Sequence, residues 1–230
     1  MEKVVFKDMI MNYKAILFGS IGTLVETSEL QRRAFNQAFS EAELEWNWSK
    51  DEYQRLLAKS GGYDRIENYA IKLDIVVDAK QLHTQKTKFF DSLMAKETLM
   101  LRPGVASVIS HALDNNLLLA FVTNTSEVNI NAVFSALGSQ IKRDNFNFIG
   151  NDTMVLNPKP SPDIYLKALS ELDLDAKECI AIEDSEVSMQ SAIAANIRCI
   201  GFPGANTQGN GFSRAEFVTN HLSVVDLKGQ

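Results

Sequence analysis

Four short segments of this 230-residue chain carry side chains that could act together on a ligand. Thr123-Asn124 offers a hydroxyl and a carboxamide, and Lys159 offers an ammonium within Asn157-Pro158-Lys159-Pro160. Glu183-Asp184 places two carboxylates side by side, and Arg65 brings a planar fork of donors just after Gly61-Gly62. Each has an ordinary explanation when taken alone. Thr123 could close a strand, Lys159 could be a solvated loop charge, Glu183-Asp184 could start a helix, and Arg65 could lie on the surface. The argument for a shared site is their position: three of the four segments follow a predicted strand. In an open parallel sheet, ligands bind beyond the carboxyl ends of the strands.

The elements that must position them are legible as alternation. Tyr13–Phe18, Leu117–Thr123, Phe146–Ile149, Glu178–Ile182 and Ile197–Phe202 are short apolar runs of the kind a sheet buries on both faces. Between them Val105–Leu113, Val128–Leu137 and Pro162–Leu172 have helical spacing. The pattern predicts an α/β protein with a doubly wound parallel sheet. Ser161-Pro162-Asp163 has the composition of a helix start, with Ser161 as its cap. Ser185 is placed to cap the helix that runs to Ala195, and Asn196 to take the left-handed position that ends it.

From about Glu29 to Lys96 the alternation stops. Leu30, Ala34, Phe35, Ala38 and Phe39 form one helical stripe, Tyr53, Leu56 and Leu57 begin another, and Ile66, Tyr69, Ala70 and Leu73 continue the period. This predicts an all-helical insertion (residues 29–98) between two parts of an α/β core (residues 1–28 and 99–230). It lies between the first strand and Leu101-Arg102-Pro103-Gly104.

Composition narrows the function classes. A net charge of −6 without a long run of Lys or Arg argues against a nucleic-acid surface. No apolar stretch reaches the ~18–20 residues of a membrane span. The opening Met1–Lys14 lacks the apolar middle and cleavage site of a signal peptide, so the expectation is a cytoplasmic protein without membrane partners. Cys179 and Cys199 read as buried reduced thiols. His83, His111 and His221 lack neighbours at ligand spacing.

Read in order, these segments resemble the haloacid dehalogenase (HAD) superfamily. Within it they are most similar to the CbbY-type group of sugar-phosphate phosphatases, which includes relatives of β-phosphoglucomutase. The resemblance rests on Ala15–Leu24 (Ala-Ile-Leu-Phe-Gly-Ser-Ile-Gly-Thr-Leu), Arg32-Arg-Ala-Phe-Asn36, Trp46-Asn-Trp48 and Gly61-Gly-Tyr-Asp-Arg65. It continues through Leu101-Arg-Pro-Gly104, Asn157-Pro-Lys-Pro160, Glu183-Asp-Ser185 and Thr207-Gln-Gly209. The family's first motif carries two aspartates, one attacking phosphorus and one moving the proton. Here Gly19 and Ile21 stand in those positions, and neither side chain can do either task. Strand alternation turns Ser20 away from that side.

The resemblance implies that Thr123 and Asn124 grip phosphate, that Lys159 neutralises its charge, and that Arg65 clamps a distal group. It assigns Mg²⁺ to Glu183, Asp184 and the Ile21 backbone carbonyl. Gly19 contributes no carboxylate, so the metal should bind weakly or be absent. Three readings follow. The chain is an impaired phosphatase that still binds a phosphorylated metabolite or phosphate, or an active phosphatase with altered chemistry, or a protein–protein module on the old scaffold.

Overall fold

The computed structural model describes residues 13–57, 61–205 and 211–228. Met1–Asn12 of the opening segment and Thr207-Gln208-Gly209 lie outside the described residues. The first strand, β1 (Ala15–Phe18), is buried along its whole length and leads through a short helix α1 (Ile21–Leu24) into four successive helices. These are α2 (Ser28–Glu41), α3 (Lys50–Leu56), α4 (Gly62–Leu73) and α5 (Ala79–Lys96). The chain then alternates: α6 (Val105–Asp114), β2 (Leu118–Phe121), α7 (Glu127–Leu137), β3 (Phe148–Ile149), α8 (Asp163–Leu172), β4 (Cys179–Glu183), α9 (Glu186–Ala194) and β5 (Arg198–Gly201).

All five strands are parallel, in the order β3-β2-β1-β4-β5. β1 is central, with Phe18 paired to Phe121 on one side and Ile182 on the other. Alternate strand residues feed two apolar layers. Ile16, Phe18, Leu119, Phe121, Ile180 and Ile182 face one, while Ala15, Leu17, Ala120, Cys179 and Ala181 face the other. This two-sided burial explains why the strand sequences are continuously apolar. Both cysteines are buried and unpaired.

Cap chemistry sets several helix ends. The Ser126 and Ser185 hydroxyls accept from the backbone N–H groups of Asn129 and Ser188, and Asn196 takes φ 61° after α9. At α8 the expectation fails locally: Pro162 occupies the cap position, and Ser161 Oγ donates to Asp163 Oδ1 instead. Asp163 has taken the hydroxyl that would have capped.

In the four-helix segment the stripe expected on α2 is buried in full. Its aromatic residues gather around Trp48, which lies 4.9 Å from Phe35 and 4.7 Å from Phe39 between ring centroids. Two of the segments that carry the resemblance meet here. The Asn36 carboxamide accepts from Trp48 N at 2.8 Å and donates to Trp48 O at 3.0 Å, and Arg32 Nη1 donates to the same carbonyl at 2.7 Å. The chain returns to the sheet at an antiparallel bridge between Val25 and Leu101. Beside it, buried Arg102 lies 3.5 Å over the Phe202 ring. It donates to the carbonyls of Gly22 (2.6 Å), Phe202 (2.8 Å) and Pro203 (2.6 Å). That single side chain ties the α1 turn to the loop after β5.

Candidate functional site

β2 and β4 flank β1 in parallel, so the carboxyl ends of the three strands lie together at one edge of the sheet, where this topology is expected to form a crevice. β1 ends at Phe18, and Gly19 follows, its N–H donating to Ile182 O at 3.0 Å. Position 19 is tightly enclosed. A Cβ added there would lie 2.0 Å from both Cδ and Oε1 of Glu183. The carboxylate of Glu183 therefore fills the space into which any side chain at 19 would grow.

Glu183 is fully buried at the end of β4. Its Oε1 accepts from Lys159 Nζ at 2.6 Å and from Tyr165 Oη at 2.5 Å, while Oε2 is buried without a hydrogen-bond partner among the described residues. Burial raises its carboxyl to about 7, against the lowering pull of Lys159. Lys159 is itself only 8% exposed, donates to Gly19 O, and lies 4.8 Å over the Tyr165 ring.

The β2 end supplies the neutral groups. Thr123 is buried, and its hydroxyl accepts from Thr125 N at 3.1 Å. Asn124 Oδ1 accepts from Lys159 N at 3.0 Å, which fixes the lysine loop against the β2 loop. The other half of that carboxamide, Asn124 Nδ2, is a buried donor without a partner among the described residues. Asn124, Lys159 and Glu183 thus form one hydrogen-bonded cluster, with Thr123 beside Asn124 in the chain and bonded to Thr125 N.

Sequence reasoning missed two members of this cluster. Tyr165 sits one turn into α8, and its inward-facing position on an amphipathic helix was the available signal. Ser20 was expected to face away, but its Oγ donates to Asp184 Oδ1 at 2.8 Å. The alternation argument needs a strand, and the strand has already ended at Phe18. Ile21 is half-buried against the apolar layer of β1.

These donors do not fit Mg²⁺ as arranged. The ion asks for a near-octahedral shell of oxygens. Glu183 commits Oε1 to an ammonium and a phenol, leaving only its buried Oε2 without a partner among the described residues, and Asp184 accepts from Ser20 and packs where a Cβ on Gly22 would fall (1.8 Å from Oδ2). The Ile21 carbonyl accepts from Val25 N at 2.9 Å within α1.

Arg65 lies among the helices. Its Nε donates to Leu56 O at 3.0 Å, and its guanidinium lies 5.8 Å from the Phe35 ring and 5.7 Å from Tyr53. Tyr63 points outward to Glu67. A second cation, unremarked in the sequence, shares the Phe35 ring: buried Lys86, 4.9 Å away, which donates to the Gln31 carboxamide.

A parallel sheet in this order, with helices inserted after β1, defines a doubly wound α/β protein whose candidate site residues lie beyond the strand ends at the switch point. The chain belongs to the haloacid dehalogenase-like hydrolase family, whose model matches residues 16–202. It is 40% identical to Protein CbbY of Cereibacter sphaeroides over 219 residues, covering 94% of each chain. It is 38% identical to Protein CbbY of Rhodobacter capsulatus, covering 93% of this chain and 96% of that one. Among solved structures it is similar to CbbY from Rhodobacter sphaeroides in complex with phosphate, and to a mutant of that protein in complex with xylulose-(1,5)bisphosphate. Each has a TM-score of 0.81 at 38% identity, covering 91% of this chain and 94% of the other. Among the described residues, no helix is long and apolar enough to cross a membrane.

Proposed function

We propose that this chain binds a phosphorylated metabolite, of the sugar-phosphate class, in the crevice formed by Thr123, Asn124 and Lys159, and turns it over far more slowly than a family member with both aspartates. The helices of residues 29–98 act as the cap over that crevice, with Arg65 directed at the distal end of the ligand. One observation carries the reading. The space at position 19 holds no nucleophile and is filled by Glu183, while the ammonium of Lys159 and the carboxamide of Asn124 remain joined at the strand ends, with the Thr123 hydroxyl one residue before Asn124. Complexes of a 38% identical CbbY with phosphate and with a sugar bisphosphate support the ligand class.

Loss of a nucleophile that works as part of a coupled unit lowers turnover by on the order of 10⁶. A phosphatase assay over a panel of sugar phosphates tests this against the Gly19→Asp/Ile21→Asp variant. The expected result is negligible turnover by the natural chain and a large gain in the variant. Comparable turnover by both would refute the reading.

The Ser20–Asp184 contact favours a second reading, in which residual turnover proceeds through Ser20. Oγ would attack phosphorus as the P–O ester bond breaks, its proton passing by way of Asp184 to the departing oxygen, and water would then hydrolyse the phosphoserine to release phosphate. Ser20→Ala would then abolish whatever turnover the natural chain has.

A further inference from the structure

Glu183 and Gly19 are complementary in shape. The glycine has an ordinary backbone conformation, so nothing in its dihedral angles demands the absence of a side chain. What excludes a Cβ is the Glu183 carboxylate, whose carbon would lie 2.0 Å from it. The same carboxylate holds the Lys159 ammonium at 2.6 Å, on a loop that Asn124 fixes through the Lys159 backbone N–H. A buried ammonium that already faces a carboxylate has little attraction left for a second anion.

We infer that Glu183 stands in for the missing carboxylate at position 19 and competes with phosphate for Lys159, so that a phosphate ester enters the crevice by displacing the Glu183 carboxylate. Two observations support displacement rather than permanent closure. Glu183 Oε2 has no hydrogen-bond partner among the described residues, so only one of the two oxygens anchors the group. The partnerless Asn124 Nδ2, on the residue that fixes the Lys159 backbone, is a donor that an incoming phosphate oxygen would satisfy. The competition makes positions 19 and 183 a coupled pair. A side chain at 19 must push Glu183 aside, and the flexible end of the glutamate can rotate to allow it.

This inference rests on the crevice being a phosphate site, and the experiment separates the two. Inorganic phosphate is titrated calorimetrically into the natural chain, Glu183→Gln and Gly19→Ala, with thermal unfolding confirming that each is folded. Glu183→Gln removes the competing charge at constant size; Gly19→Ala leaves Glu183 intact and displaces it with one methyl group. Both should bind phosphate on the order of tenfold more tightly, the effect of one modest charge interaction gained. Binding by the natural chain that fails to tighten in either variant overturns the inference alone. Binding by none of the three overturns the phosphate reading as well.

Discussion

The sheet crevice and the helical segment each bury one lysine against aromatic rings, and they treat it differently. Lys159 lies 4.8 Å over Tyr165 and is paired with the buried carboxylate of Glu183. Lys86 lies 4.9 Å from Phe35 and 5.0 Å from Phe90, with the neutral carboxamide of Gln31 as its hydrogen-bond acceptor. Ring faces attract a cation, but by only about 0.5–2 kcal/mol, less than desolvation removes. A carboxylate is what keeps a buried ammonium charged at little net cost. Burial therefore depresses Lys86 to about 8, helped by the positive charge of Arg65 and opposed by Asp91. The crevice holds its charge in balance, whereas the helical segment holds one under strain.

Breaking the balanced site should be the most damaging change. Lys159→Met leaves Glu183 buried without its cation, which should cost about 3 kcal/mol in denaturant unfolding. The opposite sign is expected in the helices. Lys86→Met replaces a buried charge that has no carboxylate as its hydrogen-bond acceptor by an apolar chain of similar length and should leave stability unchanged or raise it by up to about 2 kcal/mol at pH 7. Destabilisation of equal size by both variants would erase the distinction between the two lysines.

A pH series sharpens it. The folded-state value for Lys86 lies below its unfolded value of 10.5, so between about 8 and 10.5 the unfolded chain carries more protons. Stability should therefore rise with pH across that window, by at most about 1.4 kcal/mol per pH unit. The contribution appears as the difference between the natural chain and Lys86→Met, because the tyrosines, raised in the folded chain above their ordinary value near 10, also make stability depend on pH at the top of this window. A third lysine sets the baseline. Lys167 pairs with Glu171 one turn away on the exposed face of α8, and Lys167→Ala should shift stability by no more than about 0.5 kcal/mol.

Much of this was legible in the sequence, for reasons that differ by region. All five strands announced themselves because a parallel strand buried on both faces must be apolar throughout, as Cys179–Ile182 is. The helix stripe Leu30-Ala34-Phe35-Ala38-Phe39 was readable because burial on one face imposes a helical period. Residues with a single structural task were harder. Asn36 and Arg32 fasten the backbone of Trp48 twelve and sixteen residues away, and nothing local signals that. In the crevice, Thr123, Asn124, Lys159 and Glu183 could be placed at strand ends, but their pairing could not. The contact of Lys159 with Glu183, the Tyr165 bond to the same oxygen and the turn of Ser20 toward Asp184 depend on how loops fold beyond the strands. The absence of a side chain at Gly19 was plain. That another residue's carboxylate occupies the space required three dimensions.

The proposal that this crevice binds phosphate although Gly19 offers no carboxylate is tested most directly by a calorimetric titration of inorganic phosphate into the natural chain, with EDTA present. Saturable binding in the absence of divalent metal, lost in Lys159→Met, is the predicted result. Binding that appears only when Mg²⁺ is supplied would contradict it.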